Sequence, residues 1–488
     1  MTKENDIADI IRELEKKTTL LEPDQEGRQH LFEKVNQYAE GFLTGLSSAP
    51  VFQSVSNEGA GLLISPIGEE PEELGALLKN FDDHVTRSGL NPASPGHLGY
   101  IPGSGLYYSA LGDFLAAVTN RYSGIYAASP GAARMEMMVV RWFADEVGYP
   151  ESAAGDLTSG GSIANLSAIV SARDAFDLKA GNFHRTVVYL SAHTHHCVEK
   201  ALRTAGMREC VIRQVPVDGF FRMKKDQLEK MIKADKAQHL VPWLVVASAG
   251  TTDTGSVDPL EEIGNIARKN KMWFHVDGAY GACFVLCSLG RKILKGMDSS
   301  DSLTMDPHKG LFIPFGTGIV LARRAMDLHK PYQYQANYLQ DGKNLAGMDE
   351  ISPAEMSPEL TRHFRGLRVW LALKLAGIKT FRAALEEKLL LARYFHEKIR
   401  TIDGIETGPE PDLSIVIFRY VPDRGSADEF NKALLEKIIT QGSIFISSTL
   451  IQGKFMLRLA VLSYRTHLEK VDQAISIVKG MIEKVKEE

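Results

Sequence analysis

Between about Pro150 and Arg324, short apolar runs alternate with segments of helical spacing. The runs are Thr186 to Ser191, Cys210 to Val217, Val241 to Ser248, Trp273 to Asp277 and Gly318 to Ala322. Strands alternating with helices predict a largely parallel α/β sheet with its chemistry on loops at strand ends. Asp258-Pro259-Leu260-Glu261 reads as a helix start, with Asp as N-cap, Pro in the first turn and acids following. That helix returns the chain to the Trp273 strand, as a crossover should. Upstream, Leu20, Leu21, Leu31, Phe32, Val35, Tyr38 and Phe42 have helical spacing, and a Gly-, Ser- and Pro-rich stretch follows up to Pro102. This predicts an N-terminal arm whose apolar face has no core of its own and covers a second subunit. After Trp370 come a long amphipathic helix from about Thr380 to Ile402, the strand-like runs Leu413 to Phe418 and Phe455 to Ala460, and a last charged helix. The expected organisation is a helical arm and linker over 1–95, a large domain over 96–375 and a small α+β domain over 376–488.

Length and composition narrow the partner. At 488 residues, 44% hydrophobic and 24% charged, the chain is long enough for two or three domains with a large interior. A net charge of −5 and the absence of a recurring Lys/Arg block argue against nucleic acid and against an anionic membrane surface, and leave a small molecule. Met1 to Lys17 is polar and acid-rich, and no run approaches the length needed to cross a bilayer, so a cytoplasmic protein is expected. Cys197, Cys210, Cys283 and Cys287 fall in apolar or strand-like segments, which predicts reduced buried thiols. Cys283 and Cys287 are four apart and His193, His195 and His196 crowd together, but the spacings match no common zinc pattern; no metal is expected.

The chemistry concentrates in three places. Asp306-Pro307-His308-Lys309 follows His275-Val276-Asp277-Gly278-Ala279-Tyr280 by about thirty residues. A lysine can condense with the aldehyde of pyridoxal 5'-phosphate, and a buried aspartate can keep the cofactor's ring nitrogen protonated. At ~3 Å and an effective dielectric near ~20, that carboxylate and a pyridinium attract by about 5 kcal/mol before desolvation. The third place is Thr158-Ser159-Gly160-Gly161-Ser162, which opens the helix Ile163 to Ala175, where free amides and the helix dipole favour an anion such as phosphate. Each feature alone has a plain structural reading: a solvated lysine, a strand-end aspartate, a capped helix. Their order and intervals together are those of a type I pyridoxal phosphate fold.

In these stretches the sequence resembles the group II pyridoxal phosphate decarboxylases, the family of aromatic amino acid, histidine and glutamate decarboxylases, from roughly Leu21 to Val478. Further matching stretches are Leu98-Gly99-Tyr100-Ile101-Pro102, Ala128-Ser129-Pro130 with Glu136, Thr194-His195-His196-Cys197, Gly250-Thr251-Thr252, Phe364-Arg365-Gly366 and Leu457-Arg458-Leu459. The resemblance implies an aspartate aminotransferase-like fold, a homodimer, and an amino acid as substrate. It makes Lys309 the Schiff-base lysine, Asp277 the partner of the pyridinium and His195 the imidazole stacked on the ring. It puts His308 beside the lysine near the phosphate, Gly161 and Ser162 on phosphate oxygens, Asp306 at a neighbouring position, and Thr252 and Ala279 under or beside the ring. His97, Leu98, Tyr100, Ile101 and Tyr107 resemble the substrate-side segment, and imply an aromatic or apolar side chain.

The sequence also departs from the family pattern. A loop between the lysine and the Phe-Arg segment commonly brings a tyrosine that protonates the substrate carbanion, whereas Leu339 to Arg362 contains none; Tyr332, Tyr334 and Tyr338 lie earlier. That leaves two outcomes: the acid comes from elsewhere, with His308 and His195 as candidates, or the carbanion passes to oxygen and gives an aldehyde. Gly310 follows the lysine where Trp is frequent, and is expected to leave room near the cofactor. The expected reaction is decarboxylation of an L-amino acid to its amine. The alternatives are a carbonyl-forming variant, a carbon–carbon lyase of the same fold, a non-catalytic binding module and a metal hydrolase.

Overall fold

The computed structural model describes residues 7–54, 59–101, 103–333 and 351–487. They divide into two compact units, Met1–Ser94 and Pro95–Glu488. In the first unit, Asp24 caps the helix Gln25–Gly45 by accepting the Gly27 amide at 2.8 Å. None of that helix's residues is buried. The Gly/Ser/Pro-rich stretch is more ordered than its composition suggests. It holds the helix Leu74–Phe81, whose Leu74, Leu77, Leu78 and Phe81 share one face, and a short antiparallel pair of β1 (Phe52–Gln53) with β2 (Gly89–Leu90).

The second unit is built on a seven-stranded sheet. Its strands are β3 (Ala154–Thr158), β4 (Thr186–Ser191), β5 (Val211–Val215), β6 (Val241–Ser248), β7 (Trp273–Gly278), β8 (Ser302–Met305) and β9 (Gly318–Ala322), in spatial order β3-β9-β8-β7-β6-β4-β5. β4 to β8 run parallel, but β9 is antiparallel to both β8 and β3. A parallel return needs a crossover of a dozen residues or more, usually a helix. The helix after β8 is only Pro307–Gly310, so the chain turns straight back. The turn that carries Lys309 is therefore the one that reverses the strand direction.

β3 and β8 are not apolar runs and do not stand out in the sequence. Their polar residues are buried and paired across the sheet: Asp156 with Arg362, Ser302 with Trp273 Nε1 at 2.8 Å, and Thr304 with Asn165 at 3.3 Å. Asp258 also differs from expectation. The helix begins at Leu260, and the buried Asp258 carboxylate accepts the amides of Met223 (2.7 Å) and Ser248 (2.8 Å) instead of capping it. Those two strand-side donors would otherwise be buried without partners.

Beyond the sheet, the helix Ile378–Ile399 lies against a four-stranded antiparallel sheet of β10 (Ile405–Thr407), β11 (Ile415–Tyr420), β12 (Ser447–Ile451) and β13 (Lys454–Ala460), ordered β10-β11-β13-β12. Its core includes Phe395, Phe418, Leu434, Leu457 and Val478. All four cysteines are free and buried. Among the described residues no helix is long and apolar enough to cross a membrane.

Candidate active site

The carboxyl ends of β4, β6 and β7, with the turn after β8, surround a cavity of about 290 Å³. Open α/β sheets place ligands at this edge. Lys309, His195, His308, Asp277, Gly161, Ser162, Thr252, Ala279 and Asp306 all line it. So do His193, Asn165 and Cys197, to which the sequence reading gave no role.

Lys309 stands on the one-turn helix after β8, and its Nζ lies 3.0 Å from Asp306 Oδ2. Burial opposes its charge, but the carboxylates of Asp306 and Asp277 outweigh burial and hold the ammonium above its ordinary pKa. Asp306 Oδ1 has no partner among the described residues.

Asp277 is the penultimate residue of β7. Its Oδ1 accepts the Ala279 amide at 3.1 Å and its Oδ2 the Asn165 amide group at 3.3 Å. Behind Asn165 the donors form a line. Trp273 Nε1 donates to Ser302 Oγ (2.8 Å), Ser302 Oγ meets His275 Nδ1 (2.8 Å), and His275 Nε2 meets Asn165 Oδ1 (2.7 Å). Asn165 Nδ2 faces a carboxylate, so its Oδ1 can only accept: His275 Nε2 carries the proton and Nδ1 accepts from Ser302, an assignment made from the network. Burial, against the pull of Asp277, pushes His275 down to about 4, which fits that neutral form. The line of donors ends on a carboxylate, and favours its charged state.

At the other side, Gly160 opens the helix Gly161–Ala175 with φ 155°, a conformation that strongly favours glycine. A Cβ on Gly161 would come within 2.9 Å of Asp306 Oδ2 and 3.0 Å of Ala279 Cβ. The amides of Gly161 and Ser162 belong to the first turn and have no intrahelical partner. His308 sits beside them; its Nδ1 donates to the Thr317 carbonyl at 2.6 Å, and burial keeps its ring pKa low. The site therefore offers what pyridoxal phosphate requires: two helix-start amides for an anion, a lysine amine, and a carboxylate with donors behind it.

His195 Nδ1 accepts the Cys197 amide at 3.3 Å, and its ring lies against His196 with centroids 4.1 Å apart. Burial lowers its pKa too, against the charge of Asp277. Cys197 Sγ receives Asn165 Nδ2 at 3.3 Å, and burial with the Asp277 charge pushes the thiol up to about 12. The Thr252 carbonyl accepts Arg458 Nε at 2.9 Å, and Arg458 Nη1 reaches the Tyr100 carbonyl at 2.7 Å. β13 is thereby tied to both the cavity rim and the Tyr100 segment.

Two readings of individual residues change. Gly310 leaves no room: a Cβ there would lie 2.3 Å from Cys283 Cβ, so the glycine lets the lysine turn pack against the segment after β7. Asn165 and His275 lie behind the cavity aspartate, and the sequence reading missed that connection. Asn165 was detectable as a polar residue four positions after Gly161, on the same face of the helix, where Asn is a poor helix former.

Residues 62–421 match the pyridoxal-dependent decarboxylase conserved domain. An aromatic-L-amino-acid decarboxylase of Bacillus atrophaeus is 34% identical over 450 residues, which cover 90% of this chain and 92% of that protein. The crystal structure of Oryza sativa TDC with PLP and tryptamine superposes with a TM-score of 0.89 at 25% identity, over 95% of this chain and 99% of that one. The structure of Catharanthus roseus tryptophan decarboxylase in complex with L-tryptophan does so with a TM-score of 0.86 at 25% identity, over the same shares. With its type I cofactor fold and this match along most of its length, the chain belongs to the pyridoxal-dependent decarboxylases, enzymes that use pyridoxal phosphate to remove carbon dioxide from amino acids.

Proposed function

We propose that the enzyme acts on aromatic L-amino acids and releases the amine, and that it works in the cytoplasm as a homodimer. The observation that carries this reading is the convergence of Lys309, Asp277 and the Gly160–Ser162 helix start on one cavity. Relatives named for tryptophan, tyrosine and aromatic amino acids support the substrate class. So does the pair of Tyr100 and Phe445, whose ring centroids are 5.4 Å apart next to the Arg458 tie.

Pyridoxal phosphate, when bound, supplies an aldehyde for amines and a protonated ring that takes up the electron pair freed as the carboxylate leaves. In this reading Lys309 would hold the aldehyde carbon, and Asp306 would hold the proton that Lys309 carries when free. Asp277, backed by Asn165 and His275, would keep the ring nitrogen charged. The Gly161 and Ser162 amides and His308 would hold the phosphate. His195, Thr252 and Ala279 would contact the ring.

The dimer is supported by apolar side chains left open to solvent in each unit. They are Phe114, Leu115 and Val118 on the helix Tyr107–Thr119, and Leu31, Phe32 and Val35 on Gln25–Gly45. Sedimentation at micromolar concentration should give the mass of two chains. The four free buried cysteines support a reducing compartment.

Incubating the cofactor-loaded enzyme with aromatic, branched, basic and acidic L-amino acids, with products read by mass spectrometry, tests the substrate and the outcome together. Amine from the aromatic class is expected, and amine from another class alone overturns that assignment. A second reading, formation of an aldehyde, is favoured by the lack of tyrosine between Leu339 and Arg362 and predicts aldehyde as the main product.

A further inference from the structure

Amine formation takes one proton per turnover to the substrate's α-carbon. Resting on the decarboxylase reading of this cavity, we propose that His193 is the catalytic residue that delivers that proton. The Cα–carboxylate bond breaks, its electron pair returns to Cα, and a Cα–H bond forms with the proton of the His193 imidazolium. The imidazole left behind is recharged from water, so no oxidant or reductant is consumed.

Three histidines line the cavity. His308 is held by the Thr317 carbonyl at 2.6 Å beside the glycine turn, and His195 has its Nδ1 on the Cys197 amide. The ring nitrogens of His193 make no hydrogen bond among the described residues. Its backbone amide is held by Ser191 Oγ at 3.3 Å, and its ring meets Phe221 edge to face with centroids 5.6 Å apart. The loop is thus anchored while the reactive atoms stay free. Tyr280 is the tyrosine that lines the cavity, and its hydroxyl is committed to Ser414, at 2.7 Å from Oγ and 2.9 Å from the amide. The Lys309 ammonium is held by Asp306 at 3.0 Å.

The surroundings of His193 suit a proton carrier. The Asp253 carboxylate, in the turn after β6, acts on His193 and favours its charged form, while burial favours the neutral one. That carboxylate is fixed by Thr449 Oγ1 at 3.0 Å, and Arg458 Nε reaches the Asp253 carbonyl at 3.2 Å. Burial outweighs the Asp253 charge and holds the His193 pKa below its ordinary value, which makes its imidazolium a readier proton donor than a free one. Sequence reasoning considered His308 and His195 for this step; each has its Nδ1 tied to the backbone, whereas neither ring nitrogen of His193 is hydrogen-bonded among the described residues.

The test compares wild type with His193→Gln and His193→Ala, and with Tyr334→Phe and Tyr338→Phe as controls, each loaded with cofactor. Carbon dioxide, amine and the visible cofactor absorbance are measured on the best substrate. The expected result is that the His193 variants keep the absorbance, which shows folding and cofactor capture, while amine formation falls about a hundredfold or more. Carbon dioxide then outruns amine, the difference appearing as aldehyde: dissolved oxygen takes two electrons from the unprotonated carbon and becomes hydrogen peroxide, and water releases the aldehyde and ammonia. Added imidazole restores amine formation to His193→Ala, and the tyrosine variants keep theirs. The proposal is overturned if His193→Gln forms amine within about twofold of wild type, a drop far below the range for general acid catalysis. It is overturned equally if a tyrosine variant shows the loss instead, or if His193→Ala loses absorbance and amine together without imidazole rescue. Wild type that releases no carbon dioxide from any amino acid brings down the decarboxylase reading itself, whereas wild-type turnover with an unaffected His193→Gln brings down only the role of His193.

Discussion

The larger unit buries two clusters of opposite charges, and their difference separates a structural ion pair from a working site. In one, the Arg362 guanidinium joins Glu136 (2.6 Å) and Asp156, with side-chain exposures of 0%, 2% and 1%. Burial pushes both carboxyls up against the pull of Arg362, and the cluster ties the helix Pro130–Val147 and β3 to the segment before Arg365. In the other, Asp306 is as buried at 1%, but its partner Lys309 is 26% exposed and faces a cavity together with Asp277 and free helix-start amides. Burial and charge are common to both. What marks the second as chemistry is that donors and a nucleophile are left facing open volume.

Substitutions should pull the clusters apart. Lys309→Ala has the largest expected effect: turnover drops to background and the cofactor's visible absorbance disappears. A variant that keeps that absorbance sinks the assignment of this lysine. Arg362→Met should do the reverse, costing about 3–5 kcal/mol in denaturant unfolding because two carboxylates lose their partner, while any folded protein still captures cofactor.

The donor line behind Asp277 predicts an acid limb in stability. His275 is pushed down to about 4 from an ordinary 6.5, so in acid the unfolded chain takes up a proton that the folded chain refuses. Stability is fully present above pH 6.5 and falls as pH drops towards 4, by up to about 3 kcal/mol. Comparing thermal unfolding of wild type and His275→Gln across that range should show a flatter profile for the variant, and parallel profiles would refute the assignment. Asn165→Ala removes a hydrogen bond to a charged group and should weaken cofactor binding by about 1.5–3 kcal/mol, read by titrating the apoprotein with pyridoxal phosphate. The smallest effect is that of Gly310→Ala, about 1–3 kcal/mol of overpacking against Cys283, with stability partly restored when Cys283→Gly is added.

The two clusters were not equally legible. Lys309, Asp277 and the Ser159-Gly160-Gly161-Ser162 turn stand out because each is a local signal: a turn, a strand end, a helix start. The strands β4, β6 and β9 were readable as apolar runs because a sheet covered on both faces buries nearly all their residues, Val241 at the start of β6 excepted. β3 and β8 were hidden because their buried Asp156, Ser302 and Thr304 look like loop residues until their partners are known. Asp258 was misread for the same reason, since a cap and a clamp on two strand amides look identical in sequence. Tyr334 and Tyr338, which precede the tyrosine-free stretch, lie outside the described residues.

The sequence by itself determined the chemical inventory: a lysine, an aspartate and a phosphate-ready helix start, in an order that only one cofactor suits. Tertiary structure alone decided how that inventory is wired. Asn165 meets Asp277 and His275 across 112 and 110 residues, and the Nδ1 of His308 is tied down by the Thr317 carbonyl just before the next strand. Side-chain periodicity and turn chemistry act over a few residues and can be read along the chain. Hydrogen-bond polarity and burial arise only where distant segments meet.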